Sequence, residues 1–223
     1  MEKGVSNAFD DQLERIREKL IRAKQFDGQF KTFGSASHRY VLHDPATEEA
    51  LRTFESTYNI KLPPCYRAFV STLGNGGVSY MKSGAGPYFG IFPLGEQIDF
   101  LVKKPEKYLS NICLLHPDMT DQWWNELVYR INFDDTLSDD DYDDEVGKVF
   151  GGLMLIGTQG CTYFHALILN GSYAGRVVKV DITLEKPTVS AHSNFLHWYE
   201  GWLDDILSGH LLQNKAMWLG YRD

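Results

Sequence analysis

Cysteine is scarce in this chain: there are three in 223 residues. Cys65, Cys113 and Cys161 lie far apart, in apolar or turn settings with nothing to activate a thiol. That excludes a disulfide-stapled scaffold and a catalytic cysteine, and it fits a reducing compartment. A bilayer-spanning run is also missing. The longest stretch without Asp, Glu, Lys or Arg is Val149–Gly175, 27 residues. Gly157-Thr158-Gln159-Gly160 interrupts it with turn chemistry, and His165, Asn170 and Ser172 add polar groups. Two strands joined by a turn account for it better than a membrane helix. The first residues, Met1 to Asp11, carry acids and no apolar stretch, so no secretory signal is visible. The expectation is a cytoplasmic protein without a membrane partner.

Catalytic signatures are missing too. Gly171-Ser172-Tyr173-Ala174-Gly175 has its serine one place early for a nucleophile elbow. Gly84-Ala85-Gly86-Pro87-Tyr88-Phe89-Gly90 has the wrong glycine spacing for a dinucleotide loop, and Pro87 lacks the amide a phosphate cradle would use. Asp139, Asp141 and Asp143 alternate as in a calcium loop. Asp144 stands where that loop needs glycine, and Phe150 where it needs the closing glutamate. His192, His197, Glu200 and Asp204 match no metal-ligand spacing. No catalytic residue, metal or cofactor is expected, and the chain reads as non-enzymatic.

What the sequence does have is one concentrated charge. Thirty acids stand against 22 bases, a net charge of −8. The segment Asp134–Glu145 holds eight of those acids and no base: Asp134, Asp135, Asp139, Asp140, Asp141, Asp143, Asp144 and Glu145. The rest of the chain is therefore balanced. Eight like charges so close together repel, which predicts a solvated loop rather than packed structure. Such a patch suits a basic protein partner and disfavours nucleic acid and anionic membranes. The alternative is a solvated loop with no partner. Trp123 and Trp124 precede it, and adjacent helical positions cannot both face inward. Either one ring is partly exposed as an interface anchor, or both tuck under the loop.

Periodicity supplies the elements. Phe9, Leu13, Ile16, Leu20 and Ala23 predict an N-terminal helix with Asp10 and Asp11 in its first turn. A second helix is expected from Asp44-Pro45, presenting Leu51, Phe54 and Tyr58, and a third from Pro63-Pro64 to a stop at Gly74. Strands are expected at 78–81 and 88–94, a short helix at 97–102, and a helix over 118–131. Further strands are expected at 153–156, 162–169 and 176–182, then an aromatic helix carrying Phe195, Trp198, Tyr199, Trp202, Leu203 and Ile206. Helices, a strand meander and a closing helix make an α+β fold, mostly antiparallel sheet flanked by helices.

Phe54-Glu55, Tyr58, Ile60, Leu62-Pro63, Tyr66 and Phe69, followed by Gly74-Asn75-Gly76-Gly77, resemble the opening signature of the SUKH superfamily. That superfamily contains the Smi/Knr-type fungal cell-wall regulators and many bacterial immunity proteins. Leu155-Ile156-Gly157, Gly160, Tyr163, Leu167–Leu169, Gly171, Gly175, Val177 and Asp181 are similar to its strand–turn–strand pattern. Phe195, Trp198, Trp202 and Leu203 are similar to its closing helix. The resemblance runs discontinuously over 47–207, and residues 1–43 and 103–148 depart from it. It implies an α+β domain that works by binding. In bacteria that means occluding a protein toxin; in the fungal branch, acting as scaffold or regulator of an endogenous partner. The expected organisation is an N-terminal helical extension (1–43), a SUKH-like domain (44–210) with a helix-plus-acidic-loop insertion (103–148), and a C-terminal tail (211–223). The family motif marks no binding residue. The residues offered for the partner are the eight acids with Trp123 and Trp124.

Overall fold

The chain folds as three layers around one sheet. The computed structural model describes residues 8–213. Its helices are α1 (Asp10–Phe26), α2 (Ser35–His38), α3 (Glu48–Thr57), α4 (Pro64–Thr72), α5 (Pro105–Tyr108), α6 (Asp121–Leu127), α7 (Tyr129–Phe133), α8 (Asp139–Val149), α9 (Phe195–Leu207) and α10 (His210–Gln213). The strands are β1 (Leu153–Gly160), β2 (Tyr163–Ile168), β3 (Val177–Asp181) and β4 (Thr188–Val189). They form an antiparallel sheet in the order β1-β2-β3-β4, so the expected α+β class is met.

Alternation along the strands explains the long uncharged run. Met154, Ile156, Leu167 and Val177 point into a core shared with α1, α4 and α9. Leu153, Leu155, Phe164, Ala166, Ile168, Val178 and Val180 point the opposite way, into a core shared with α6, α7 and α8. A strand covered on both faces has no polar side to display, so its sequence reads as continuously apolar. The aromatic face of α9 is the centre of the first core, with Phe195, Trp198, Tyr199 and Trp202 all at most 1% exposed.

Helix α1 belongs to the same core. Leu13, Ile16 and Ala23 are buried in it, and a polar seam ties α1 to α9. Glu200 accepts hydrogen bonds from Gln12 Nε2 at 2.9 Å, Arg15 Nε at 3.1 Å and Lys19 Nζ at 2.9 Å. Burial alone would push its carboxyl up, but Lys19, Arg15 and Gln12 together pull it down to about 2. Of the expected C-terminal tail, residues 211–213 belong to α10 and Leu211 is buried in the core; residues 214–223 lie outside the described residues.

Several expected elements are corrected. The second helix begins at Glu48, capped by the Thr47 side chain accepting from Ala50 N, not at Asp44-Pro45. Residues 78–81 and 88–94 are not strands. Met81, Lys82, Tyr88 and Gly90 take positive φ; an isolated bridge closes Gly84 on Ile91, and the segment meets β1 through the Ile91–Gly157 bridge and hydrogen bonds from Phe89 N to the Thr158 carbonyl and Phe92 N to the Ile156 carbonyl. A side chain at Gly157 would collide with the Gly90 carbonyl, so glycine permits the approach. Residues 97–102 form turns, not a helix. The helix expected over 118–131 is two, α6 and α7. Strand β1 runs on to Gly160, so the turn falls at 161–162 and not at 157–160.

The largest correction concerns the acids. Residues 139–149 are helical, so the expected acidic loop is confined to 134–138. Three effects offset the repulsion. Ser138 caps the helix, its Oγ accepting from Asp141 N at 3.2 Å. Asp139, Asp140 and Asp141 in the first turn complement the helix dipole. Val146, Gly147 and Val149 bury the inner face.

Candidate protein-binding surface

Residues 103–148 build the helical layer on the second face of the sheet, and their acids divide into two sets. The inward set is neutralised by bases from neighbouring elements. Asp144 accepts from Lys104 at 2.7 Å and Lys107 at 2.8 Å, and hydrogen bonds from these ammonium groups hold its carboxyl far below the usual range. The same contacts with Asp140 and Asp144 push Lys104 up. Glu145 is paired with Arg130 and Lys148, both at 2.8 Å. Asp134 lies 3.5 Å from Arg130. Its carboxyl is lowered first by the Thr136 hydroxyl and amide, then by Arg130.

The outward set is Asp135, Asp139, Asp140 and Asp141, all exposed. Asp140 touches Lys104 at 2.7 Å yet keeps 79% of its side chain in solvent. Asp141 accepts from the Ser138 hydroxyl at 2.6 Å, completing the cap. Asp143 is half-buried. It borders a hollow of about 200 Å³ with Phe100, Lys103, Tyr142, Val146, Ile182 and others.

The two tryptophans separate as adjacent helical positions must. Trp124 is 2% exposed. Its Nε1 donates to the Leu184 carbonyl at 2.8 Å, and its ring lies 5.9 Å from that of Phe150. It is therefore core, which removes it from the surface. Trp123 is half-buried, its ring edge-on to His116 at 5.1 Å.

Sequence reasoning missed the four bases and the exposed aromatics. Arg130 was legible as an i,i+4 partner of Asp134. Lys104 and Lys107 lie 40 and 37 residues before Asp144, beyond any local pattern. Tyr129 and Phe133, 63% and 68% exposed, gave no signal because aromatic spacing on a helix reads as core.

Among the described residues no three His, Cys, Asp or Glu side chains cluster as a metal site. His192, His197, Glu200 and Asp204 do not assemble as one: Glu200 and Asp204 are taken by the bases of α1. No described helix is long and apolar enough to cross a membrane. The family model described as SMI1 / KNR4 family (SUKH-1) matches residues 45–201. The chain belongs to this family. The SUKH-1 match takes in the sheet, α3 to α8 and half of α9, so the acid-bearing helices lie inside it. Helix α1 lies outside the match but inside the core. No curated protein and no solved structure matches this SUKH-1 chain significantly.

Proposed function

We propose that this SUKH-1 protein acts by binding rather than catalysis, as a cytoplasmic immunity protein that occludes a basic protein toxin. The outward carboxylates of α8 form part of the contact. The observation that carries the reading is the sorting of the acids. Asp134, Asp144 and Glu145 are tied to bases, while Asp135, Asp139, Asp140 and Asp141 face solvent at the N-terminal end of a docked helix, Asp140 doing so while it touches Lys104. Carboxylates held on a rigid element present a fixed negative surface, which steers a positively charged partner and fixes its register. Nuclease toxins fit this chemistry, because a site that grips phosphates is basic and carboxylates compete for it.

The test is to express the protein encoded beside this gene, alone and together with this chain. Killing by the neighbour, relieved by co-expression, supports immunity. A harmless neighbour, with stoichiometric recovery of signalling or cell-wall proteins on the tagged chain, replaces it with the regulator reading of the fungal branch.

A further inference from the structure

We propose that Tyr129 and Phe133 form the apolar anchor of this surface, receiving apolar side chains from a basic segment of the partner; the inference rests on the acidic-surface reading above. At 100° per residue, Tyr129 and Phe133 lie on one side of α7 and Ile131 on the other. Ile131 is 8% exposed and fixes α7 to the core, so the aromatic pair is turned to solvent. The two rings lie 5.0 Å apart, packed on each other. Tyr129 also walls an open hollow of about 600 Å³ with Gln122, Asn125 and Glu126 of α6.

The surroundings choose the occupant. Arg130 shares the exposed side of α7 but is held by Asp134 and Glu145, which places the rings beside α8. Glu126 rims the hollow and Asp135 follows Phe133 by two residues. An apolar centre with a polar, charged rim is the anatomy of a protein interface, and buried aromatics carry most of the energy there. A second copy docking through the same face would set these carboxylates against their own equivalents, because a two-fold interface pairs identical patches. A partner segment mixing lysine or arginine with apolar residues satisfies both parts.

The test uses the full chain and two synthetic peptides of equal positive charge. One contains lysine, arginine, leucine and tryptophan; the other has glycine and serine in place of leucine and tryptophan. Titrated at low salt, the parent should bind the apolar peptide about tenfold more tightly, the scale of one aromatic anchor. Tyr129→Ala/Phe133→Ala should erase that advantage and leave the other peptide's affinity unchanged. Both positions are exposed and alanine favours helix, so the variant folds, which circular dichroism checks. Asp135→Asn/Asp139→Asn/Asp140→Asn should weaken both peptides. An advantage that survives the aromatic variant, or is missing in the parent, overturns the anchor while leaving the acidic surface standing. An aspartate variant that binds both peptides like the parent removes the acidic surface and the proposal with it. A dimer in sedimentation that the aromatic variant dissociates makes a second copy the occupant, and also overturns it.

Discussion

Replacing Gly147 with alanine tests whether α8 is docked as described. On a free helix the change should help, because glycine costs about 1 kcal/mol relative to alanine in a helix interior. Here a methyl would fall 2.9 Å from Cγ of Tyr108 and closer still to Cδ2 and Cε2. The ring is 3% exposed, so it has nowhere to swing. Forcing a methyl into a packed site costs about 1–3 kcal/mol, and ring atoms this close put the cost at about 2–3, which outweighs the propensity gain. Displacing Tyr108 also strains α5, whose Lys107 and N-cap Lys104 hold Asp144. We expect Gly147→Ala to destabilise by about 1–2 kcal/mol, a fall in Tm of roughly 2–8 °C for a chain this size. Thermal and urea unfolding followed by circular dichroism read it directly. Tyr108→Leu, which vacates ring volume, should cost less in the Gly147→Ala background than in the parent, since contacting sites couple. A Gly147→Ala protein as stable as the parent, or more so, refutes the packing of α8 on Tyr108.

Glu200→Gln should destabilise by about 2 kcal/mol at pH 7. The drop of its carboxyl from 4.5 to about 2 sets an upper bound near 3 kcal/mol, discounted because Arg15 is half exposed. That stabilisation is present above pH 4.5 and is lost as the pH falls towards 2, so parent and variant should converge over that range in urea titrations. His38 and His165 are fully buried and lowered by burial to about 4 and about 3. Below pH 6.5 the unfolded chain binds protons that these rings refuse, so stability should fall by about 1.4 kcal/mol per pH unit for each. Whatever His38→Gln costs at pH 7, it should shallow the slope between pH 6 and 4.5 by about that amount; an unchanged slope assigns the loss elsewhere.

Periodicity made α1, α4 and α9 legible because their buried residues recur within the helix, and β1 to β3 because both faces are covered. What failed depends on distant residues. Asp140 and Asp144 read as repelling neighbours until Lys104 and Lys107 are brought beside them by the fold. Residues 78–94 look strand-like in composition, but positive φ at Met81, Lys82 and Tyr88 coils them past the sheet. Of the expected contact residues, Trp124 is buried in the core, and Asp134, Asp144 and Glu145 are paired with bases. Tyr129 and Phe133 were overlooked because a sequence does not say which side of a short helix meets solvent.

The most direct test of the account is the association rate between this chain and the protein encoded beside its gene, measured from low to high salt. The parent is compared with Asp135→Asn/Asp139→Asn/Asp140→Asn, which loses the Lys104–Asp140 contact but leaves the Asp141 cap and the ion pairs of Asp134, Asp144 and Glu145 in place. The parent rate should fall steeply with salt, and the variant should be about tenfold slower at low salt and converge with the parent at high salt, as steering by exposed charge requires. Equal rates for the two proteins across the whole series would contradict it.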